Sequence, residues 1–517
     1  MNPPAQLQKW FMPSIFDLIV ATVFCTMILA DPLIGCFDIF WHLRTGDLLL
    51  SGVFPTTDIF SYTAYGKPWI LHEWGSQVIF ALIYNAFGFS GLIVLKSFVY
   101  ALMYGLMFNL LLRKDTNIFI SLGFTLLLVL GTAGAWTVRP HMFTNLFLVI
   151  LFRIFVEFND RGNPRILRWL PLLFLIWINL HGGYIIGFIF LAACTGAKLV
   201  TGFLKTTPDP KIFLSQAKAL IAWGLISFAA CFINPATWKG VMYPLMYIGG
   251  QMDSRMIQEW AAPAIHTDVH FFIYTALVIL GIMFLRKIQP LHEIFLLTTF
   301  IFLAFSAIRH MPVFAIVATP MLAALWQEHL TRFFHLLKAA YVNHRMHHWL
   351  QILSDYLTSR SLWFNTMEQH LRCHVLAVTV IAIMAGLSVT FPDKLNIGLD
   401  RTRYPVEIAE HIRSNPVQGN IFNQYGWGGF LLWALPDHKV FIDGRMDVYK
   451  KEISVPYKTF INLEQGWEDI AEEYDIQHIL AGKDRTISRF IIQVSPSWKI
   501  EKETDNAFFF TRKKVDK

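Results

Sequence analysis

The sequence predicts an α-helical polytopic membrane protein of about eleven spans, followed by a small α/β domain at the C-terminal end. Three observations lead there. Apolar runs of about 20 residues recur up to about residue 391, each long enough to cross roughly 30 Å of hydrocarbon as a helix. The chain is 55% hydrophobic and only 15% charged, against about 25% charged in a soluble domain. Beyond about residue 392 charge rises and the apolar runs shorten. Runs this long and uniformly apolar do not suit barrel strands, and lipid admits only helices and closed barrels.

The expected spans are 14–34, 91–112, 117–136, 139–157, 167–181, 183–204, 216–234, 271–286, 290–307, 311–328 and 373–391. The first lacks a small-x-small cleavage signal and exceeds a usual signal core, so it reads as a retained span. Gly75–Phe87, about 13 residues, is too short to cross and suits an interfacial or membrane-dipping helix. With that choice the basic loops share one side: Arg113 and Lys114; Arg161, Arg165 and Arg168; Lys205, Lys211 and Lys218; Arg286 and Lys287; and the stretch 329–372. The positive-inside rule makes that side cytoplasmic, with Met1 inside and the C-terminus outside. The outer side then holds a long first loop (35–90), turns at Arg139, His181 and Arg309, a loop at 234–270, and the C-terminal domain. The expected division is a membrane domain, 1–391, and a soluble domain, 392–517.

Within the second domain, Val406–Arg413 and Trp467–Tyr474 read as helices. Strands are expected at 428–433 and 439–442, around a Pro436-Asp437 turn, and at 477–480 and 507–510. No strict repeat of period 20–50 is present. The net charge of +7 resides mostly in short loops, with no Arg-rich stripe interleaved with aromatics, which argues against nucleic-acid binding. The five cysteines (Cys25, Cys36, Cys194, Cys231, Cys373) are scattered, form no C-x-x-C pair and read as small apolar residues. His329, His335, His344, His347 and His348 read as part of a basic amphipathic segment on anionic lipid.

The outer side collects the unusual ionisable residues. Asp38 follows the first span directly, and helical spacing puts it on one face with His42; Arg44 is two residues further on. A carboxylate half-shielded at the membrane boundary has a raised pKa and suits a general base; the alternative is an interfacial helix anchored by Trp41. His72-Glu73, set between Trp69 and Trp74, either completes an acid/base or metal set with Asp38, or caps a helix and faces solvent. No H-E-x-x-H or other ligand spacing supports zinc. Arg139-Pro140-His141 and Arg309-His310 lie at outer span ends, where guanidinium forks suit phosphate oxygens and where snorkelling is the plainer reading. Gly182-Gly183 permits a sharp reversal, which leaves Asn179 and His181 unexplained. Glu259 reaches the site only if its loop folds over it; an exposed polar loop is the plainer reading. The 423–429 stretch stands out without an assigned role, and Asp443-Gly444-Arg445 follows a predicted strand, as a binding group or as plain turn chemistry.

Together, the acidic residue after the first span, the long first outer loop, the many spans and the outer C-terminal domain resemble the GT-C superfamily of polytopic glycosyltransferases. Asp38-x-x-Trp41-His42-Leu43-Arg44-Thr45-Gly46, His72-Glu73-Trp74, Arg139-Pro140-His141, Asn179-Leu180-His181-Gly182-Gly183 and Ile442-Asp443-Gly444-Arg445 also resemble a widespread, uncharacterised group of bacterial membrane proteins often assigned to it. The resemblance implies a bacterial cytoplasmic (inner) membrane location. It also implies a sugar donor on polyprenyl phosphate or diphosphate, transfer to an acceptor at the outer face, and Asp38 as base with Glu73 assisting. Asp38-Ile39 carries one acid where the superfamily pairs two, so a divalent metal is an open cofactor. On the residues alone, His72 joins the catalytic candidates, and His42, Arg44, Arg139, His141, His181, Glu259, Arg309, His310, Asp443 and Arg445 the substrate-binding ones. Two rivals are a transporter or flippase of a lipid-linked sugar and a non-catalytic scaffold for envelope assembly.

Overall fold

The computed structural model describes residues 12–204, 209–246, 258–283, 290–340, 345–370, 374–494 and 497–513. Lys205, Arg286, Lys287, His344 and Cys373 lie outside them, as do the ends of the expected spans at 271–286 and 373–391. Each of the eleven apolar runs is helical over most of its length. Among the described residues, six helices are long and apolar enough to cross a membrane: Trp74–Arg113, Ile118–Ala135, His141–Asn159, Tyr184–Phe203, Pro210–Ala230 and Ile308–Ala340. Ile15–Ala30, Val269–Met283, Leu291–Ser306 and Val375–Thr390 are apolar but shorter.

Local chemistry sets the helix ends. Ser14 Oγ accepts from Asp17 N–H at 3.1 Å while the Asp17 carboxylate accepts from Ser14 N–H at 3.0 Å, a capping box that starts the first helix. The short apolar segment at 75–87 continues into the following span through Gly88, whose φ of 61° breaks the helix without ending it. Only a glycine takes that conformation at little cost.

The helix ends sort into two sets. Arg113 pairs with Glu157 at 3.1 Å and Lys114 with Glu293 at 2.7 Å, so the chain near 113, 157 and 293 shares one end of the bundle. The connections at 31–38, 137–140, 181–183 and 307–310 gather at the other end. There a short parallel pair joins β1 (Leu33–Ile34), after the first helix, to β2 (Gly398–Leu399), after the last apolar one.

At that same end the C-terminal chain forms a four-stranded sheet of β3 (Asn420–Asn423), β4 (Ile476–Gly482), β5 (Trp498–Glu503) and β6 (Ala507–Arg512), in the order β3-β4-β6-β5. β3 and β4 are parallel; β4 pairs antiparallel with β6, Ile479 opposite Phe510, and β6 with β5. The helices Val406–Ser414 and Trp467–Glu473 and the expected strands at 477–480 and 507–510 all form.

Two expected strands do not. Residues 428–433 belong to a helix, Gly428–Ala434, because an unbroken apolar run carries no period that separates a buried strand from a buried helix. Residues 439–442 form only an isolated bridge at Val440, because their backbone groups are divided between the first loop and the Asn423 side chain, which accepts from Phe441 N–H and donates to Ile442 O, both at 2.8 Å. Tyr62 N–H donates to Val440 O at 3.1 Å, Val440 N–H to Phe60 O at 3.1 Å, and Thr63 Oγ1 to Phe441 O at 2.6 Å. The first loop and the C-terminal chain are thus stitched together over the end of the bundle that carries Asp38.

Candidate active site

Asp38 occupies the N-cap position of the helix Ile39–Leu50, yet its side chain caps nothing. The carboxylate turns away to Arg139, with Oδ2 2.6 Å from Nη2, while Trp41 Nε1 donates to Oδ1 at 3.3 Å. Arg139 sits in the turn before the helix His141–Asn159, where Pro140 has no N–H to leave unsatisfied. Its other Nη atom pairs with Glu259, carried by the short turn Gln258–Trp260. The part of the second outer loop around Gln258–Trp260 thus lies over the site, as the functional reading of Glu259 required. Arg309 stacks on the neighbouring Trp260 ring, 4.7 Å to its centroid, and Ile308 N–H donates to Ala261 O at 2.9 Å. Burial pushes the Asp38 carboxyl above the ordinary range, against the opposing pull of Arg139. Burial also works to raise Glu259, but Arg139 and Arg309 hold it low.

Behind this pair, Glu73 is surrounded by imidazoles. His181 Nε2 lies 3.4 Å and His72 Nε2 3.6 Å from Glu73 Oε1, and His42 Nε2 lies 3.9 Å from Oε2. Their proton states follow from the far side of each ring. Gly183 N–H donates to His181 Nδ1 at 3.0 Å, so Nδ1 is unprotonated and Nε2 carries the hydrogen toward Glu73. Thr144 Oγ1, 2.7 Å from the same Nδ1, accepts from Trp177 Nε1 at 2.8 Å and donates onward. Burial drops the His181 pKa to about 3, so it remains a neutral donor. His42, its ring tilted against Trp41 with centroids 3.7 Å apart, is likewise lowered by burial to about 3. His72 differs. Its Nδ1 lies 3.2 Å from Ile70 O and its ring stacks on Tyr243. Burial would lower its pKa, but Glu73 overrides that and raises it. Burial would raise Glu73, and His72, His42 and His181 instead hold it well below the carboxylate range. The result is an ionised Glu73 that favours the protonated form of His72, with two neutral imidazoles beside it.

The C-terminal chain reaches Asp38 through glycines. A Cβ on Gly444 would lie 2.2 Å from Asp38 Oδ1 and 3.0 Å from Trp41 Nε1, and one on Gly429 2.9 Å from Phe37 O. Gly444 does not have positive φ. It is a close-approach glycine and not the turn glycine that the plainer reading supplies.

Asp443 and Arg445, expected as binding groups, are 0% and 1% exposed at the side chain and satisfy each other. Arg445 Nε donates to Asp443 Oδ1 at 2.9 Å and Nη2 to Oδ2 at 2.7 Å, and Tyr449 donates to the same Oδ2 at 2.6 Å. Arg445 Nη1 lies 2.7 Å from buried Asp58 Oδ1, close in charge though out of line for a hydrogen bond. The guanidinium also lies over Trp69, 4.5 Å to its centroid. This correction has a physical cause: a charge at the sheet edge faces inward when the first loop covers that edge with a carboxylate and aromatic rings. Asp443 and Arg445 flank Gly444, which packs against Asp38.

Other expected residues fall outside the Asp38 cluster. Arg44 makes no ion pair or hydrogen bond among the described residues. His141 Nε2 lies 3.1 Å from Ala135 O and 3.4 Å from the Tyr100 hydroxyl, bracing the preceding turn. His310 Nδ1 lies 3.1 Å from Leu303 O. The sequence reading missed Asp58 and Thr144, and also Lys96, whose Nζ is 2.6 Å from Asp31 Oδ2. Lys96 alone had a signal, a cation inside an apolar run.

The residues present do not fit a divalent metal. Among the described residues no group of three His, Cys, Asp or Glu is arranged to hold one. His181 turns a protonated nitrogen toward Glu73, and Asp38 and Glu259 already share the Arg139 cation.

No protein-family model matches this chain, and no curated protein matches it by sequence. Solved structures do match in fold. One is the archaeal oligosaccharyltransferase AglB from Archaeoglobus fulgidus, in complex with an inhibitory peptide and a dolichol-phosphate. It aligns with a TM-score of 0.56 at 12% identity, over 90% of this chain and 69% of that one. Another is ArnT from Cupriavidus metallidurans bound to undecaprenyl phosphate, with a TM-score of 0.52 at 11% identity, over 96% of this chain and 97% of that one. At such identities the likeness is one of fold. The chain shares the fold of these two proteins.

Proposed function

We propose that this protein transfers a sugar from a polyprenyl-phosphate-linked donor to an acceptor at the outer face of the bacterial cytoplasmic membrane, with Asp38 as general base. The observation that carries the reading is the Asp38–Arg139–Glu259 contact. It sets a carboxylate with a raised pKa beside a guanidinium able to hold phosphate, from segments 100 and more residues apart. The fold shared with an ArnT bound to undecaprenyl phosphate and an AglB bound to a dolichol-phosphate supports the lipid class.

In the proposed reaction Asp38 takes the proton from an acceptor hydroxyl or amine. The acceptor atom bonds to the anomeric carbon, the bond from that carbon to the phosphate oxygen breaks, and the leaving phosphate keeps the electron pair. Arg139 and Arg309 hold that charge in a shielded site, where fixed cations stabilise most strongly. The donor phosphate competes with the carboxylates for the Arg139 fork, which frees Asp38 as the donor seats. Glu73 and His72 orient the acceptor side, with His42 and His181 as fixed neutral neighbours. The N-terminus lies inside, and the C-terminal domain, 392–517, lies outside and selects the acceptor.

Purified protein in liposomes with radiolabelled hexose on undecaprenyl phosphate, supplied with bacterial envelope lipid and peptidoglycan fractions, tests this. The expected result is label leaving the polyprenyl lipid for an acceptor. Label that crosses the bilayer still attached to its lipid would refute transfer and favour a flippase. Label that does neither would favour a scaffold.

A further inference from the structure

Asp38 and Glu259 come from the two outer loops, more than 200 residues apart, yet they meet across one side chain. One Arg139 Nη atom takes Asp38 Oδ2 at 2.6 Å and the other takes Glu259. Two hard oxygen donors converging this way are what a divalent cation such as Mg²⁺ or Mn²⁺ takes, with ligand distances of about 2.0–2.6 Å. Here the gap is spanned by a guanidinium whose backbone is fixed by the turn ahead of Pro140, and Arg309 adds a second positive charge beside Glu259. The remaining Asp38 oxygen accepts from Trp41 Nε1. Glu73, a further acid whose charge acts on Asp38, is enclosed by imidazoles, and the His181 nitrogen facing it is protonated and has no lone pair to give.

We infer that the Arg139 guanidinium occupies the place of a divalent cation between Asp38 and Glu259, so that this site works without a metal. The substitution has chemical consequences. Arginine is a permanent cation that neither exchanges nor carries water, and its planar fork can let go of a carboxylate and take a phosphate through two parallel hydrogen bonds. The functional half of the inference rests on the transferase reading; the charge-balance half does not.

The test uses the full chain in lipid nanodiscs, titrated with Mn²⁺ and followed by the electron paramagnetic resonance of the free ion. Wild type is expected to show no site that Asp38→Asn removes, up to roughly millimolar Mn²⁺. Arg139→Gln, neutral and of similar length, is expected to gain Mn²⁺ affinity by about tenfold or more, and adding Glu259→Gln to remove the gain. A wild-type Mn²⁺ site lost in Asp38→Asn overturns the inference, as does a folded Arg139→Gln with no gain. If Arg139→Gln does not fold, the wild-type titration decides alone. Transfer by wild type is expected to be unchanged by EDTA; loss with EDTA and recovery with Mn²⁺ also overturns it. Absence of any transfer defeats the transferase reading and leaves the Mn²⁺ titrations standing.

Discussion

Adding one methyl group at Gly444 should damage the site more than removing many larger groups. Its Cβ would lie 2.2 Å from Asp38 Oδ1 and 3.0 Å from Trp41 Nε1, whereas ordinary contact begins near 3.4 Å, so the two segments must part by about 1 Å. The Gly444 backbone has little freedom, because Asp443 and Arg445 on either side are locked to each other and to Asp58. The displacement therefore falls on Asp38, which is itself tied to Arg139. Overpacking of this kind costs about 1–3 kcal/mol of stability, and a misplacement of about 1 Å in a catalytic group costs on the order of 100-fold in rate. Gly123→Ala is the control, since nothing lies within 4 Å of its Cβ. Thermal unfolding and transfer from radiolabelled undecaprenyl-phosphate hexose are measured for both variants. Gly444→Ala with wild-type turnover would show that the C-terminal chain does not position Asp38.

Asp38→Asn should lose about 100-fold or more in turnover while keeping affinity for undecaprenyl phosphate; unchanged turnover removes Asp38 from the mechanism. Because a base must be ionised and burial raises Asp38, the acid limb of the rate–pH profile should lie above the ordinary 3.8, and a flat profile through that region counts against it. Arg445→Ala leaves Asp443 and Asp58 buried without their cation and should destabilise the chain by about 3–5 kcal/mol; a melting temperature equal to wild type contradicts the positioning role. Glu73 is held below its ordinary 4.5 and His72 above its ordinary 6.5. Glu73's contribution is present above 4.5 and is lost as the pH falls through its depressed value. The contribution of His72 is present below 6.5 and is lost as the pH rises through its raised value. The melting-temperature gap between wild type and Glu73→Gln should thus be widest between pH 4.5 and 6.5. A gap independent of pH would mean that the pair is not ionised as described.

Much of the site was legible because ionisable residues stand out in an apolar chain. Asp38, Arg139 and Glu259 were all singled out as candidates, and they meet. His42, His72, Glu73 and His181 were also candidates, and Glu73 proves to be their shared centre. Less legible were groups whose role depends on what covers them. Arg445 looks like a binding residue in sequence; Asp58, from an unremarkable turn, makes it a buried strut. Thr144 is one hydroxyl inside an apolar helix, and nothing in its spacing foretells that it braces the ring of His181.

From its residues alone this chain is committed to a bundle of apolar helices, because lipid leaves such runs no other way to satisfy their backbone. The acids and guanidiniums are confined to the helix ends by the same cost, since charge is expensive in hydrocarbon. Which end each one joins, and which partner it meets, was decided only by tertiary structure. Contact between Asp38 and Glu259 through Arg139 depends on the packing angles of helices far apart in the chain, and no local pattern encodes those. The strand expected at 439–442 failed for the same reason. Its backbone hydrogen bonds went to the first loop and to the Asn423 side chain, a choice open only once these segments had been brought together.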